Sequence, residues 1–571
     1  MTVELEKIVE GAVYDVVVVG AGGAGMSAAL FAAIEGLKVL LVERTPFVGG
    51  TTAYSAATTW VPNTHHLAST PTKDSVEKAA RFLDLAVGNH SSAALRRAFL
   101  EAGPKAVEVI EAHSEVKYRA RPVHPDYISE LEGSTVCGRA LEPLPFDGRR
   151  LGRDFALIRP PIPEFTVLGG MMIDRDDIGH LLKLTKSFAS FRHALKLIGR
   201  HASDRLRHPR GTRLVMGNAL IARLLYSLNA RGVDILVGTT VESLNRDGDT
   251  IEGVTLSRGG TRRTVLARGG VILASGGFSR HKELRAKMLH APVPEHSPIA
   301  PGNTGEMHDL ALAAGGRYGT ANLDNSYWAP MSVRRRTDGT QAVFPHFILD
   351  RGKPGTVTVN KAGRRFVNES TSYHLFVRAM YESHKTVPTV PAYLITDADG
   401  LRRYGLGMVR PGAKGLEPFI DEGYLVQAPT LADLARRLDI DAAGLAETVA
   451  SMNRFAQTGI DTDFGRGTTD YHRVNGDGTR GLPNPNLGPI GQAPFYAVRL
   501  YPGDIGAATG FVTDADAQVL DADDRPIGGL YAIGNDMNSI MGGVYPAPGI
   551  TIGPGLVFGY IAARHAARRA A

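Results

Sequence analysis

The amino-acid sequence predicts an α/β fold in which a Rossmann-like domain, built on a doubly wound parallel sheet, carries an inserted α+β domain. An apolar strand runs into the turn Gly20-Ala-Gly22-Gly-Ala-Gly25, and the helix after it leads to a second apolar strand that ends on Glu43. A third apolar run, 270–277, ends in two glycines. Because such sheets bind their ligands at the carboxyl ends of the strands, we expect these three strand ends to face one nucleotide.

The glycine spacing G-x-G-x-x-G is typical of a dinucleotide site. Gly20 permits the tight turn, Gly22 lets the backbone approach a pyrophosphate, and Gly25 lets the helix pack on the strand. The helix N-terminus directs free N–H groups and the positive end of its dipole at the phosphates. Glu43 follows Gly25 by 18 residues, close to where an acid meets a ribose hydroxyl. The alternative is a glycine-rich strand-to-helix turn without a ligand.

The remaining elements follow from hydrophobic periodicity and from Gly and Pro punctuation. In chain order we predict helices within 74–114, a Pro- and Gly-rich loop region at 120–160, a helix at 217–229, strands at 233–237, 251–256, 264–268 and 270–277, helices at 431–438 and 442–458, a strand and turn at 529–534, and a closing helix at 552–569. The composition changes near 333 and changes back near 506. We therefore predict a dinucleotide-binding domain formed by 1–332 and 507–571, and an inserted catalytic or cap domain at 333–506.

The composition is that of a soluble globular enzyme, with 43% hydrophobic and 21% charged residues. A single cysteine, Cys137, excludes an internal disulfide and a multi-cysteine metal site. The first residues lack the basic and apolar regions of a signal peptide, so a cytoplasmic location is expected. The uncharged run 16–34 has the length of a membrane span, but its glycines predict the first strand and helix instead.

Most of the excess positive charge falls in one segment, 183–213. Its basic residues are Lys183, Lys186, Arg192, Lys196, Arg200, Arg205, Arg207, Arg210 and Arg213. Apolar residues recur between them at spacings of three and four, namely Leu184, Phe188, Phe191, Leu195, Ile198, Ala202 and Leu206. This pattern predicts an amphipathic helix that packs its apolar face on the core and leaves its basic face in water. The alternative is peripheral contact with an anionic membrane. No aromatic-basic motif points to nucleic acid.

Several motifs occur together in a characteristic order, and they resemble the flavoproteins of the succinate dehydrogenase/fumarate reductase superfamily. Beyond the glycine turn they are Gly49-Gly50-Thr51-Thr52, Ala274-Ser275-Gly276-Gly277, Gly363-Arg-Arg-Phe-Val-Asn-Glu369 and Gly529-Leu-Tyr-Ala-Ile-Gly-Asn535. The resemblance implies FAD, with Glu43 on the adenosine ribose, the Val241 backbone at the adenine, and Asn535 and Asp536 by the ribityl chain and flavin. One departure is the turn Thr304-Gly305-Glu306-Met307, where many members have Thr-Gly-Asp-Gly.

The full set of FAD contacts that the resemblance implies spans both parts of the cofactor domain. These residues are Gly20, Gly22, Gly23, Ala24, Gly25, Glu43, Arg44, Gly50, Thr51, Thr52, Ser55, Val241, Ala274, Gly276, Gly277, Asn535, Asp536, Gly549, Ile550 and Ile552.

The C-terminal motif Tyr545-Pro-Ala-Pro-Gly549 resembles the Tyr-Pro-x-x-Gly signature of the 3-ketosteroid Δ1-dehydrogenases. Tyr127 with the run 138–147, and Tyr373 in the inserted domain, match that family as well. The resemblance implies 1,2-desaturation of a 3-ketosteroid: the Tyr545 hydroxyl and the Gly549 N–H polarise the 3-keto oxygen, and Tyr373 removes a proton with Tyr127 as its hydrogen-bond partner. The basic segment is similar to that of the branch acting on cholest-4-en-3-one, whose members associate with membranes.

The proposed reaction requires a base, and a tyrosine is an unusual one. A free tyrosine has a pKa near ~10, so a tyrosine base needs neighbours that stabilise its anion. Two flavin-dependent alternatives remain: a Δ4-(5α)-3-ketosteroid dehydrogenase, and a fumarate-reductase-like ene-reductase that would clamp a dicarboxylate with Arg364 and Arg365. The electron acceptor and the oligomeric state stay open.

Other candidate functional residues give weaker signals. Tyr327-Trp328, expected on a loop, either lines the steroid pocket or packs in the core. No metal site is expected: His65 and His66 are adjacent, adjacent residues do not share a face, and no Cys or Asp cluster joins them. The G-x-S-x-G nucleophile elbow of many hydrolases is absent from the sequence.

Overall fold

The computed structural model describes residues 2–183 and 187–571. Leu184 and Lys186 of the basic segment lie outside the described residues. The strands, in chain order, are β1 (Ala12–Val19), β2 (Val39–Glu43), β3 (Thr59–Trp60), β4 (Tyr118–Ala120), β5 (Ala140–Pro143), β6 (Phe146–Asp147), β7 (Thr166–Val167), β8 (Met171–Met172), β9 (Arg213–Leu214), β10 (Asp234–Val237), β11 (Thr240–Asp247), β12 (Thr250–Arg258), β13 (Thr261–Leu273), β14 (Ser326–Arg335), β15 (Gln341–Pro345), β16 (Thr356–Val359), β17 (Ala392–Thr396), β18 (Val426–Ala428), β19 (Phe495–Ala507), β20 (Gln518–Leu520) and β21 (Pro526–Ala532).

Fifteen α-helices are found among the described residues. In chain order they are α1 (Gly23–Ile34), α2 (Val76–Val87), α3 (Ala93–His113), α4 (Arg175–Leu182), α5 (Phe188–Arg205), α6 (Met216–Ala230), α7 (Lys282–Met288), α8 (Glu306–Ala313), α9 (Tyr373–His384), α10 (Ala398–Tyr404), α11 (Glu417–Asp421), α12 (Leu431–Leu438), α13 (Ala442–Thr458), α14 (Asp470–Asn475) and α15 (Ile552–Ala570).

The predicted Rossmann-like sheet is confirmed. Its order is β10-β2-β1-β13-β12-β21-β20, and β11 is an additional strand that pairs antiparallel with β12. The pairs β10–β2, β2–β1, β1–β13 and β13–β21 are parallel, so their carboxyl ends lie at one edge of the sheet. The buried run of β1, which reads Val-Val-Val-Val at its end, fits a strand that is covered on both faces. The uncharged run 16–34 is therefore strand and helix, as the glycines predicted.

One strand prediction was wrong in its boundaries. Residues 264–268 and 270–277 were expected as two strands, but β13 runs without a break from Thr261 to Leu273. The pairing with β1 shifts register between Tyr14, opposite Ala267, and Val16, opposite Gly270, so that Asp15 alone faces Arg268 and Gly269. The two glycines therefore mark an irregularity within one strand, not a turn between two.

The inserted α+β domain is confirmed as a second, antiparallel sheet with helices on its faces. Its order is β15-β14-β19-β17-β16, with β18 on β19. This sheet spans Ser326 to Ala507. The limits at 333 and 506 stay a prediction. Tyr327 and Trp328 lie on β14 instead of on a loop, and both side chains are buried in the core.

The basic segment folds as a helix, but with the opposite face outward from the one we predicted. Along α5 the buried side chains are Ser190, Ala194, Leu197, His201 and Asp204. The predicted apolar face is solvent-exposed: Phe188 is 78% exposed, Leu195 54% and, just past the helix, Leu206 84%. The polar side chains turn inward because they have specific partners there. Asp204, for example, accepts the N–H and the hydroxyl of Thr212, both at 2.8 Å.

Within the described residues, we find no helix that combines the length and the hydrophobicity needed to cross a bilayer.

Candidate active site

The glycine turn between β1 and α1, predicted to hold a pyrophosphate, is tightly packed at one glycine and open at the other. Gly20 has φ +108°, and a side chain there would lie 2.2 Å from the Ala274 carbonyl oxygen. At Gly22, by contrast, a Cβ would meet no atom within 4 Å. The open space therefore lies directly in front of the backbone at Gly22, where a dinucleotide phosphate has to approach.

The N-terminus of α1 leaves hydrogen-bond donors facing that space. The Gly23 N–H donates to the Thr52 hydroxyl at 3.2 Å. Among the described residues, the N–H groups of Gly22, Ala24 and Gly25 have no acceptor. Gly22, which caps the helix, contributes no side chain either. A helix end without protein partners fits a bound phosphate group.

Glu43 is buried at the end of β2, next to the turn. One carboxylate oxygen accepts the Ala21 N–H at 3.0 Å, and the other accepts the N–H and hydroxyl of Thr45 at 2.9 and 2.8 Å. Thr239 donates its N–H to the Glu43 carbonyl at 3.0 Å, which sets the start of β11 and hence Val241 beside this strand end. These contacts fix the Glu43 carboxylate. They also bring Glu43 and Val241, the two residues predicted to contact the adenosine of FAD, close together.

The departure in the motif at 304–307 has a structural consequence. Glu306 begins α8 and forms an ion pair with Arg44 at 2.5 Å. The longer acid therefore reaches the cation that follows Glu43. Gly305, at the helix cap, keeps the left-handed conformation that the turn needs.

The hydroxyl-rich loop at 49–55 packs against the glycine turn. The Gly49 N–H donates to the Ala21 carbonyl at 2.7 Å, and a Cβ at Gly50 would lie 3.3 Å from the Gly22 Cα. The Thr51 hydroxyl accepts the Ala300 N–H at 3.1 Å, while the Ser55 hydroxyl donates to the Thr52 carbonyl at 2.9 Å. The predicted FAD residues of this loop thus form one wall beside the α1 N-terminus.

Asp536 organises the third strand end through its side chain. It accepts the Gly277 N–H at 2.7 Å, the Ser275 hydroxyl at 3.0 Å and His308 Nε2 at 3.0 Å, and it also accepts the Ser275 N–H. Burial alone would raise the pKa of Asp536, but these hydrogen bonds hold it below its usual value. The carboxylate is therefore occupied in shaping the turn at Ala274, Gly276 and Gly277. The neighbouring Asn535 lines a small cavity together with Ile550, Thr551 and Tyr327.

The N-terminus of α15 forms the other side of that cavity. Gly549 has φ +88°, and a Cβ there would lie 2.3 Å from the Thr58 carbonyl oxygen, so only glycine fits. Its carbonyl accepts the Trp60 and Gly553 N–H groups at 3.2 and 2.9 Å. In the described chain no protein atom accepts the N–H of Gly549, Ile550 or Ile552. These donors, at the positive end of a 19-residue helix, suit an oxygen that gains negative charge.

Three tyrosines from distant parts of the sequence meet beside these donors. The hydroxyls of Tyr127 and Tyr373 are 3.2 Å apart. The Tyr545 ring stacks on Tyr127 with centroids 5.8 Å apart and meets Tyr373 edge-on at 5.1 Å. The structure thus brings together the tyrosines singled out in the sequence, in contact with the turn that carries Gly549.

Burial raises the pKa of each of these tyrosines above its ordinary value, and for Tyr127 and Tyr373 the rise is large. Hydrogen bonding from Tyr373 and from the Thr551 hydroxyl opposes the rise at Tyr545. All three hydroxyls are therefore protonated at neutral pH, and each is suited to donate a hydrogen bond.

A buried ionic network fixes the loop that carries Tyr127. Asp126 accepts hydrogen bonds from Trp60 Nε1 and from Arg139 Nη1, both at 2.9 Å, and Arg139 also binds Asp74 at 2.6 Å. The Tyr127 N–H donates to the Pro546 carbonyl at 2.7 Å. The loop is thereby attached to the C-terminal motif directly.

Sequence reasoning missed two members of this cluster. Tyr471, on α14, packs on the Tyr127 ring at 4.8 Å, and its buried hydroxyl has no partner among the described residues. Thr551 lies within hydrogen-bonding reach of Tyr545. A lone tyrosine on a six-residue helix has no sequence signal. Thr551 could have been found, since it follows Gly549 by two positions at a helix N-terminus. Tyr327 also joins the cluster, edge-on to Tyr545 at 5.0 Å.

The arginines considered for a dicarboxylate clamp are engaged elsewhere. Arg365 is buried and binds Glu369 and Asp461, each at 2.8 Å. Arg364 forms an ion pair with Glu447. Neither guanidinium is free to hold a substrate carboxylate.

The prediction that His65 and His66 cannot share a face was wrong. Both Nε2 atoms reach the same oxygen of Glu111, at 2.9 and 2.8 Å. The two rings point the same way, with centroids 4.2 Å apart.

This chain is similar to several known proteins over nearly its whole length. The FAD binding domain family model matches residues 15–552. A 4-oxocyclohex-2-ene-1-carboxylate 5-dehydrogenase of Sinomonas cyclohexanicum is 37% identical over 559 residues, which cover 97% of this chain and 94% of the relative. A 3-oxosteroid 1-dehydrogenase of Mycolicibacterium smegmatis is 35% identical over 576 residues, 98% of both chains. The crystal structure of a 3-ketosteroid Δ1-dehydrogenase from Sterolibacterium denitrificans, in complex with 1,4-androstadiene-3,17-dione, superposes with a TM-score of 0.90 at 35% identity and covers 97% of this chain and 99% of its own.

Proposed function

The chain belongs to the FAD binding domain family and uses FAD, and from this premise we propose that it is a 3-oxosteroid 1-dehydrogenase. Such an enzyme introduces a double bond between carbons 1 and 2 of a 3-ketosteroid. The observation that carries the proposal is the cluster of Tyr127, Tyr373 and Tyr545 against the free N–H of Gly549. Removal of a proton next to a ketone requires both a donor at the ketone oxygen and a base near the acidic carbon.

Polarisation of the ketone is assigned to the C-terminal motif. The Tyr545 hydroxyl and the Gly549 N–H donate to the 3-keto oxygen, where enolate charge develops as carbon 2 loses its proton. A neutral hydroxyl is needed for this role, and the raised pKa of Tyr545 keeps it protonated. The positive end of α15 adds to the stabilisation of that charge.

Proton removal is assigned to Tyr373. As a tyrosinate, its oxygen takes the proton from carbon 2 and becomes a neutral hydroxyl, and the Tyr127 hydroxyl, 3.2 Å away, stabilises the tyrosinate before the transfer by donating a hydrogen bond to it. Carbon 1 loses a hydride in the same reaction, so a carbon–carbon double bond forms. FAD, when bound, supplies the acceptor for that hydride at N5 of its flavin. The aromatic walls of Tyr127, Tyr471 and Tyr545 exclude water from the reacting atoms.

The FAD contacts assigned from the sequence are kept as part of this proposal. Gly22 and the α1 N-terminus hold the pyrophosphate, Glu43 holds the adenosine ribose, and Asn535 with the α15 N-terminus holds the ribityl and flavin end. Asp536 acts through the turn that it shapes.

A second candidate substrate follows from the 37% identical relative, whose name describes an oxocyclohexene carboxylate. The same tyrosines would serve that reaction, because it also desaturates a ring next to a ketone. Its carboxylate would need a cation. Arg175, at the start of α4, makes no ion pair with any described residue; burial lowers the pKa of its guanidinium, and Tyr471 is among the neighbours that oppose this shift. The steroid is favoured because the three-tyrosine centre itself is uncharged and aromatic.

We also propose that helix α5 rests on an anionic membrane surface, from which an apolar steroid would be drawn. Phe188, Phe191, Leu195 and Ile198 form one exposed apolar stripe at helical spacing. Arg192, Lys196 and Arg205 are exposed on the same helix, whose acidic residue, Asp204, is buried. An apolar stripe flanked by cations matches a lipid interface, where the stripe enters the acyl boundary and the cations meet anionic headgroups.

The proposed reaction is tested by anaerobic bleaching of the oxidised flavin. The FAD-loaded enzyme is mixed with a 4-en-3-one steroid, a saturated 5α-3-ketosteroid, 4-oxocyclohex-2-ene-1-carboxylate or succinate. We expect rapid bleaching by the 4-en-3-one steroid. Bleaching by the 5α-steroid alone, with the 4-en-3-one as product, would identify the Δ4-(5α) reaction, and bleaching by a carboxylate alone would contradict the steroid assignment.

The role of the motif tyrosine is tested with the same assay. Tyr545→Phe should retain FAD but bleach ~100-fold more slowly, the usual effect of losing one donor at a developing oxyanion. Tyr404→Phe is the matched control. Tyr404 lies on α10, outside the cluster, and its hydroxyl donates a hydrogen bond to Asp477 at 2.6 Å. Equal rates in Tyr545→Phe and the control would contradict the assignment.

A further inference from the structure

His65, His66 and Glu111 form a compact group of metal-ligating side chains away from the tyrosine cluster. His65 Nε2 lies 2.9 Å and His66 Nε2 2.8 Å from the same Glu111 oxygen, Oε2. All three ligand atoms lie within 4.8 Å of one another. The group is open to solvent on the side of His65, whose side chain is 52% exposed. The side chains of His66 and Glu111 are only 15% and 10% exposed.

Local structure explains why adjacent histidines converge. They begin a short 3-10 helix, His65–Ser69, which runs past the last turn of α3 where Glu111 lies. The Ser69 hydroxyl donates to the His66 carbonyl at 2.7 Å and the Leu67 N–H donates to the Thr64 carbonyl at 3.0 Å, so the backbone here is held by its own turns.

The carboxylate is oriented by a contact behind it. Glu111 Oε1 accepts the Tyr118 N–H at 2.7 Å, which leaves Oε2 directed at the two imidazoles. Lys117 binds the Glu111 main-chain carbonyl instead of its carboxylate. Such outer contacts are the usual means by which proteins fix a metal ligand in position.

We propose that His65, His66 and Glu111 bind a divalent first-row transition metal, with Zn²⁺ as the best match. Two imidazole nitrogens and one carboxylate oxygen, with an open fourth position for water, are a known zinc ligand set. Neighbouring ligands of a tetrahedral Zn²⁺ are ~3.3 Å apart when each bond is ~2.0–2.1 Å. The observed separations of 2.8 and 2.9 Å need to widen by only a few tenths of an ångström. The exposed edge at His65 supplies both the entry path and the water.

The site is assigned a structural role. It would join the segment after β3 to the end of α3, and β3 carries Trp60, whose indole binds Asp126 beside Tyr127. None of the three ligands contacts the tyrosine cluster. Metal binding should therefore raise the thermal stability of the holoenzyme and leave the rate of flavin bleaching unchanged.

The test uses FAD-loaded protein without a polyhistidine tag. After treatment with a chelator and removal of the chelator, the protein is dialysed against ZnCl₂ at a series of concentrations, and bound zinc is counted per FAD. We expect one zinc per chain with saturable binding, and a rise in melting temperature with zinc. Glu111→Gln should weaken zinc binding by at least ~10–100-fold, the range already seen when only a supporting contact is lost. His66→Ala should do the same.

His113→Ala is the matched control, because this exposed histidine lies on the same helix two residues after Glu111 and is outside the group. It should bind zinc as the unaltered protein does. Glu111→Gln keeps an acceptor for the Tyr118 N–H, so retention of FAD by this variant shows that it is folded. The proposal is overturned if the unaltered protein binds no stoichiometric zinc, or if Glu111→Gln and His113→Ala bind zinc equally.

Discussion

Gly20 and Gly22 belong to one motif, yet the structure gives them different physical roles. A methyl group at Gly20 would collide with the Ala274 carbonyl oxygen and require a strained φ of +108°. A methyl group at Gly22 would meet no protein atom within 4 Å. Only the second position leaves open space beside the backbone, where we propose that the cofactor phosphate lies.

We therefore expect Gly22→Ala to fold but to lose most of its FAD, whereas Gly20→Ala should be poorly folded. Flavin absorbance per chain measures the first effect and circular dichroism the second. Gly36→Ala is a control at a glycine with open surroundings after α1. Because Gly36 also has a positive φ, it tests how much strain alone costs. Full FAD content in Gly22→Ala would contradict the proposed phosphate site.

The pKa of Tyr373 leads to a pH prediction. Since burial holds this pKa well above its ordinary value, the anion is scarce at neutral pH, and its fraction grows ~10-fold per pH unit below the pKa. The bleaching rate at saturating steroid should therefore rise from about pH 6 to about pH 9, with no plateau. Tyr373→Phe should be slower by ~10²–10⁴ and nearly independent of pH.

The pH dependence of folding stability does not interfere with the measurement of the bleaching rate. A buried tyrosine whose folded pKa is raised contributes stability that is present below the unfolded pKa of ~10 and is lost as pH rises beyond it. The assay range lies below that limit. A bleaching rate that falls with pH would contradict the tyrosine base.

Single residues were predictable where a motif surrounds them. Tyr545 is followed by Gly549 at the start of a helix, and Tyr127 and Tyr373 are flanked by recognisable runs. Tyr471 and the His65–His66–Glu111 group were not predictable, because contacts between distant segments create them. Adjacent residues in a regular helix or strand do not share a face, but His65 and His66 lie in a short 3-10 helix where both rings reach Glu111.

At the scale of elements, α5 shows what periodicity can and cannot predict. The spacing of its apolar residues predicted the helix, which runs from Phe188 to Arg205. The same spacing did not predict which face is buried. His193 binds Asp177 at 2.8 Å and Asp204 binds Thr212, so polar partners on the protein decide the orientation and the apolar stripe is left outside.

This orientation leads to the membrane prediction. The double variant Arg192→Glu/Lys196→Glu should lower the affinity for anionic vesicles by at least ~30-fold, because each cation near such a surface contributes ~1 kcal/mol. Phe188→Ser/Leu195→Ser should weaken binding to the same vesicles at high salt, where charge attraction is screened. Co-sedimentation with phosphatidylserine-containing vesicles measures both.

The matched control reverses exposed cations elsewhere, with Arg437→Glu/Arg454→Glu on α12 and α13. Net charge changes equally in the two charge-reversal variants. If both lose the same affinity, the attraction is general and the α5 surface is not the membrane contact.

Other elements were predictable because local signals agree with the fold. The helices α12 and α13 have the predicted boundaries, and each begins at a side-chain cap, Thr430 and Asp441. The strand β13 was divided wrongly since Gly269 and Gly270 look like a turn in sequence, whereas pairing with β1 carries the strand through them.

At the scale of the whole molecule, the site lies where the two domains meet. Tyr127, Tyr545 and Gly549 fall in the predicted cofactor domain, and Tyr373 and Tyr471 fall in the predicted inserted domain. The sequence predicted a parallel sheet interrupted by an inserted α+β fold because the motifs of the first sheet resume after a long interval, and the limits of the two domains stay a prediction. It did not predict the mutual packing of the tyrosines, which depends on how the second sheet sits over the strand ends.

The central claim is that this junction removes a hydride from carbon 1 and a proton from carbon 2 of a 3-ketosteroid. The most direct measurement is anaerobic stopped-flow bleaching of the flavin with a 4-en-3-one steroid deuterated at carbon 1 or at carbon 2, followed by analysis of the product. We predict that deuterium at carbon 1 slows bleaching, that deuterium removed from carbon 2 appears in the solvent, and that the product is the 1,4-diene. Bleaching that is insensitive to deuterium at carbon 1, with a product that lacks the 1,2 double bond, would contradict the claim.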